Sequence, residues 1–149
     1  MGFSNKFGCL VLSTGNKTEL ALGYCTLYGD MSGGLSVIGD LSKTDVYGLA
    51  KWKNTVSTDI IPSSCITKTP SAELAENQVD PFDYDVISPI VDKVIYSESI
   101  DNKTPETDEI IKRINQNEYK RRQTPPILRI TRKAFGMGRR FPIVNHFHE

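Results

Sequence analysis

Apolar positions in this 149-residue chain fall into short runs and helical stripes, parted by polar turns marked with glycine or proline. Residues 7–12 form an apolar run that stops at Ser13-Thr14-Gly15-Asn16-Lys17, and a helical pattern follows at once. This predicts a buried strand over 7–12, a polar turn, and a helix over 18–27. Residues 35–38 predict a second short strand. Ser42-Lys43-Thr44-Asp45 opens a helix over 43–52, with Ser42 as N-cap, Asp45 at N3, and Val46, Leu49 and Ala50 on one face. Residues 59–69 read as a short helix and turn broken by Pro62, and 70–81 as a polar loop punctuated by proline. Residues 84–96 carry Val86, Ile87, Ile90, Val91, Val94 and Ile95 at helical spacing, with Pro89 in the first turns. Thr104-Pro105-Glu106 supplies an N-cap, a proline at N1 and an acidic first turn. The helix behind it runs to about 117 and buries Ile110, Ile111 and Ile114. Pro125-Pro126 breaks regular structure, 128–132 is a short extended or helical piece, and 134–142 is a basic, glycine-punctuated tail. There are no internal repeats. The pattern is α/β, with two short strands and several helices. Two strands do not make a stable sheet by themselves, so the rest of the sheet is expected from outside these residues.

The polar cluster after the first strand carries the candidate chemistry. In open α/β sheets ligands bind beyond the carboxyl ends of the strands, and a helix N-terminus there favours an anion. Thr14 and Asn16 offer a hydroxyl and an amide. Glu19, three positions after Asn16, is a hard oxygen ligand suited to Mg²⁺. It also matches the N3 acid of a capping box on Asn16, so a structural role stands beside the metal role. A second glycine-rich polar loop follows at 24–34, Tyr-Cys-Thr-Leu-Tyr-Gly-Asp-Met-Ser-Gly-Gly.

Composition changes little. The chain is 38% hydrophobic and 24% charged, which suits a globular domain or part of one and argues against global disorder. No apolar run is long enough to span a membrane, and the first residues resemble neither a secretory signal nor a myristoylation site. The three cysteines, Cys9, Cys25 and Cys65, are odd in number and far apart; they read as buried or incidental thiols of a reducing, cytoplasmic setting. His146 and His148 lie in the last four residues and read as a mobile tail rather than a zinc site.

Taken in order, the motifs resemble NAD⁺ synthetases. They are S-N-K-F-G before the first strand, S-T-G-N-K-T-E after it, and G-Y-x-T-L-Y-G-D-M-x-G-G-L. Then come I-G-D-x-x-K-T-x-V-Y-x-L-A, P-S-A-E-L at 70–74, N-E-Y-K-R-R-Q-x-P-P at 117–126 and R-x-A-F-G-x-G-R-R-F-P-I at 132–143. The tail from Glu118 onward is closer to the long, glutamine-dependent form than to the short, ammonia-dependent one. The resemblance implies the C-terminal portion of a Rossmann-like nucleotide-binding domain. The family's S-G-G-x-D-S pyrophosphate loop does not occur in the sequence, nor does a glutaminase domain. These residues alone are therefore expected to be an inactive ligase fragment.

The resemblance further implies a reaction that adenylates nicotinate adenine dinucleotide with ATP and then amidates it with ammonia, drawn from glutamine, to give NAD⁺. It places Thr14, Lys43 and Ser71 at ATP, Glu19 on Mg²⁺, and Asp30, Tyr119 and Lys120 at the dinucleotide. Leu27 and Gly34 stand where the short form has a lysine and an aspartate, so only backbone or shape contacts are expected there. The expected partners are these small molecules, a glutaminase domain in the full-length chain and further copies in a homo-oligomer, with neither membrane nor nucleic acid. The alternative is a non-catalytic assembly or binding module that keeps part of the nucleotide site. Net charge is zero, yet 73–109 holds eleven acids against two bases, and 112–140 ten bases against one acid. This asymmetry predicts that the two segments meet around the dinucleotide site, within one subunit or across a dimer.

Overall fold

The computed structural model describes residues 1–143 apart from 59, 102 and 137, so His146 and His148 lie outside the described residues. In chain order the elements are α1 (Gly2–Phe7), β1 (Leu12–Ser13), α2 (Lys17–Leu22), β2 (Leu35–Ser36), α3 (Lys43–Val56), α4 (Ser63–Thr67), α5 (Tyr84–Tyr96), α6 (Pro105–Gln116) and α7 (Glu118–Arg121). β1 and β2 pair in parallel, with Leu12 opposite Leu35 and Ser13 opposite Ser36. On the far side of β2, Ser36 bridges to Ile127, its N–H donating to Pro126 and its carbonyl accepting from Leu128.

The core lies between α2, α5 and α6. Ile87, Val91 and Ile95 recur at i, i+4 and i+8, Ile110 and Ile114 at i and i+4, and Leu20, Ala21 and Leu22 meet them from α2. Phe135 and Phe141 close this core from the C-terminal segment. The expected tail is therefore a packed element: Ala134, Phe135 and Phe141 are buried, because two aromatic rings have more to gain inside than its basic residues have to lose at the rim.

Several boundaries differ from the pattern reading. The strand expected over 7–12 is instead the end of α1, a left-handed turn at Gly8 (φ 67°), and only Leu12–Ser13 as strand. Phe7, Leu10 and Leu12 are exposed, since among the described residues β1 has a neighbour on one edge alone. α2 stops at Leu22 rather than 27. Gly23 takes the left-handed region there (φ 67°), and a Cβ at that position would stand 2.0 Å from Asn117 Oδ1. β2 ends at Ser36 rather than 38. α3 continues to Val56, but it buries no residue: Leu49 is exposed and Val46 and Ala50 only partly covered. Pro62 precedes α4 as its N-cap instead of breaking it. α5 has the expected bounds, and Pro89 sits one turn and a half in, where it has no N–H to donate to the Asp85 carbonyl. Thr104 caps α6 as predicted, its hydroxyl accepting from the Thr107 N–H.

Candidate functional site

The carboxyl ends of β1 and β2 feed directly into α2 and α3, so two helix N-termini stand side by side. The Lys17 N–H donates to the Leu41 carbonyl, and the Lys43 N–H to the Thr18 hydroxyl. Both helices carry a complete capping box. Asn16 accepts from the Glu19 N–H while Glu19 Oε2 accepts from the Asn16 N–H, and Ser42 and Asp45 repeat the pattern. The capping role expected of Glu19 is thus present.

It does not use the whole carboxylate. Glu19 Oε1 faces the Lys43 ammonium at 3.0 Å, and both side chains are only partly covered. The structure therefore brings together Glu19, expected from the motifs at Mg²⁺, and Lys43, expected at ATP. Thr14 lies exposed on the same lip, one residue beyond β1. Ser71 is further out, in the 70–83 loop, where its hydroxyl accepts from the Glu73 N–H.

Both helices begin with lysine at the first helical position, against the helix dipole. Each lysine is offset by a carboxylate. Lys43 has Glu19. Lys17, almost wholly buried, has Asp40 at 3.2 Å and Asp92 at 3.2 Å. Asp40 also accepts from the N–H groups of Ile130 and Thr131 and from the Thr131 hydroxyl. Burial opposes charge on Asp40, but those donors and Lys17 outweigh it and hold its carboxyl below the usual range. The sequence reading missed this network. Its signal was the lysine placed at a helix start, where a cation is unfavourable without a partner.

Of the residues predicted for the dinucleotide, Lys120 meets the C-terminal end of α2 and Asp30 the strand before it. Asp30 Oδ1 accepts from the Thr26 N–H, and its carbonyl accepts from the Ser13 hydroxyl, which ties the glycine-rich loop to β1. Tyr119 is exposed. Lys120 donates to the carbonyls of Gly23 (2.7 Å) and Cys25 (2.9 Å). Its neighbours do the same for α2. Arg121 reaches the carbonyls of Leu20 and Ala21, and Asn117 that of Leu22. A helix C-terminus has unpaired carbonyls and a negative dipole end, and α7 supplies cations and an amide to both.

Within the basic run 120–122, Lys120 and Arg121 are turned inward, while Arg122 is exposed. Arg121 is buried, pairs with Glu118 at 2.9 Å and lies over the rings of Phe135 and Phe141, while Arg122 also pairs with Glu118. Between the acidic and basic segments, the described ion pairs are Arg132 with Glu98, which is exposed, and Lys112 and Arg113 with Glu109 within α6. None of these lies at Tyr119 or Lys120. Cys25 is half-buried and its thiol is pushed up to about 11 by burial, whereas Cys9 and Cys65 are exposed rather than buried.

Residues 1–124 match the family model described as NAD synthase. The chain belongs to that family. It is 48% identical over 158 aligned positions to the glutamine-dependent NAD(+) synthetase of Synechocystis sp., covering 99% of this chain and 28% of that protein. It is also 48% identical to the glutamine-dependent NAD(+) synthetase of Acinetobacter baylyi, covering 97% of this chain and 29% of that protein. The chain thus spans under a third of the curated relatives it matches. In three dimensions it overlays the crystal structure of a glutamine-dependent NAD(+) synthetase from Cytophaga hutchinsonii with a TM-score of 0.74 at 20% identity, over 97% of this chain and 26% of that one. That overlay carries the Rossmann-like α/β fold expected from the motifs. Among the described residues no helix is long and apolar enough to cross a membrane.

Proposed function

We propose that these residues form the C-terminal part of the synthetase domain of a glutamine-dependent NAD⁺ synthetase, supplying one side of the ATP site and part of the dinucleotide site. The observation that carries this reading is the Glu19–Lys43 pair at the carboxyl end of the parallel strands, in a chain whose motifs and family match run almost end to end.

In the proposed reaction the nicotinate carboxylate attacks the α-phosphorus of ATP and pyrophosphate leaves. Ammonia then attacks the acyl carbon, AMP leaves and the amide nitrogen gives up a proton. Both steps rest on positioning and on neutralising phosphate charge. Lys43, partly exposed and on flexible methylenes, swings from Glu19 to a phosphate oxygen. The Thr14 hydroxyl lies on the same lip to orient the nucleotide, and Ser71 meets it from the 70–83 loop when that loop covers the site and excludes water.

Mg²⁺ fits Glu19 in the way this ion is usually held, by one carboxylate with substrate phosphates and water completing the shell. Glu19 Oε1 already faces a cation, the Lys43 ammonium, and among the described residues no cluster of three metal-ligating side chains offers a closed cage. When bound, the ion would neutralise phosphate charge. Tyr119, exposed and aromatic, is placed to stack on a ring of the dinucleotide. Lys120 carries the charge beside it.

The direct test is the full-length enzyme supplied with ATP, nicotinate adenine dinucleotide and ammonia. NAD⁺ and pyrophosphate are expected in equal amounts, and no NAD⁺ from a folded enzyme overturns the reading. Lys120→Ala is expected to raise KM for the dinucleotide more than KM for ATP. If only thermal stability falls while both constants hold, Lys120 is a helix clamp and nothing more.

A further inference from the structure

The 70–83 loop is exposed along most of its length, with Leu74 81% accessible and Glu73 and Asn77 in the left-handed region at φ 53° and 58°. Such a loop has few contacts of its own to fix it. Its hold on the rest of the fold is concentrated at its C-terminal base. The Asp80 N–H donates to the Pro70 carbonyl at 2.9 Å and closes the loop. The Tyr84 hydroxyl donates to Asp80 Oδ2 at 2.7 Å. Gln78 reaches the Tyr24 hydroxyl at 3.4 Å, and Phe82 packs edge-on against Tyr24 at 5.2 Å.

Tyr84 also faces the other way. It is buried in the first turn of α5, and the ammonium of Lys43 lies 5.5 Å from the centre of its ring. One side chain therefore touches the loop through its hydroxyl and the Glu19–Lys43 pair through its π face. Burial and the Asp80 carboxylate both push the phenol up, so it stays a hydrogen-bond donor. The second oxygen of Asp80, Oδ1, is buried with no hydrogen-bond partner among the described residues. A buried acceptor left unpaired is costly, so this latch holds the loop without saturating it.

We propose that Tyr84 is a positioning residue that couples the loop carrying Ser71 to the Lys43–Glu19 pair, with Asp80 as its partner on the loop. The proposal rests on the ATP reading above and deepens it. Lys43 is shared between Glu19 and the Tyr84 ring. When a nucleoside triphosphate draws Lys43 toward its phosphates, the ring loses its cation and the loop anchored to that ring is released to close. By linkage, loosening the anchor changes the affinity for the nucleotide to the same degree.

The test uses full-length enzyme with Tyr84→Phe, which keeps the ring and removes the hydroxyl. Asp80→Ala reaches the same contact from the loop side. Without ligand, hydrogen exchange at the Asp80 amide should rise about 10-fold in each variant, the loss expected for one charge-assisted hydrogen bond. The double variant should exchange no faster than either single one, and amides in the middle of α5 should be unaffected. With Mg²⁺ and ATP, exchange across 70–83 should change in the wild type. That change should shrink in Tyr84→Leu, which lacks the ring. KM for ATP should fall in Tyr84→Phe with kcat little altered, because the latch that ATP binding must release is already open.

Unchanged exchange at Asp80 in both single variants overturns the latch. An ATP response of equal size in wild type and Tyr84→Leu overturns the coupling. The ligand-free exchange does not depend on turnover, so failure of the enzyme to make NAD⁺ would strike the functional reading and leave the latch result standing.

Discussion

Glu19→Gln in the full-length enzyme is expected to lower the rate of adenylation by at least ~10²-fold, the scale of losing one electrostatic stabiliser at a reacting phosphate. The substitution separates the two jobs that this side chain holds. Glutamine keeps a carbonyl oxygen that can accept from the Asn16 N–H, so the cap on α2 largely survives. It removes the negative charge that faces Lys43 at 3.0 Å and that would hold a magnesium ion. Single-turnover release of pyrophosphate measures the step directly, and titration with Mg²⁺ should show a weakened response. Adenylation close to normal together with a lowered melting temperature would assign Glu19 to the cap alone.

The second large effect is on stability. Lys17→Met should destabilise the fold by about 3–5 kcal/mol, because it strands Asp40 as a buried charge without its cation. Asp40 is fully buried and holds the backbone of Ile130 and Thr131 against the start of α2, so its loss would detach the segment that leads to Phe135 and Phe141. Urea unfolding followed by circular dichroism measures the change. The double variant Lys17→Met, Asp40→Asn should recover part of it, since no fully buried charge is then left unpaired and Asp92 remains partly in solvent. A loss below ~1 kcal/mol for the single variant would mean that the Ile130 and Thr131 donors suffice to hold Asp40.

The same pair sets a dependence on pH. The folded pKa of Asp40 is depressed, so its contribution is complete above the unfolded value of about 3.9 and is lost as pH falls from there through the folded value. Unfolding free energy of the wild type should therefore drop on acidification below pH ~4 more steeply than that of Asp40→Asn. Parallel curves for the two proteins would show that Asp40 titrates alike in both states.

Local signals were enough to determine the capped starts of α2, α3 and α6. Thr104-Pro105, Ser42 with Asp45 and Asn16 with Glu19 act within one turn, so residue type and spacing suffice, and each cap is found as the sequence reads. The i, i+4 spacing of Ile87, Val91 and Ile95 likewise picks the buried face of α5 without reference to its neighbours. The roles expected of Thr14, Glu19 and Lys43 came from the family resemblance and not from local spacing; the three lie just after one strand and in the first turns of two helices.

What a run of residues faces was decided only by tertiary structure. Residues 7–12 are apolar, yet much of the run is exposed, because burial of a strand depends on partners remote in sequence. Nothing in the sequence of 118–121 tells what its cations face, but the bare carbonyls at the end of α2 lie against α7. Lys120 and Arg121 satisfy them there, and the gain of pairing buried carbonyls exceeds the cost of bringing Arg121 out of water. Lys17 and Asp40 are 23 positions apart and look like ordinary polar residues in the sequence. Their pairing, and the place of Tyr84 between the loop and Lys43, follow from how α2, α3 and α5 pack, a long-range arrangement that no local pattern encodes.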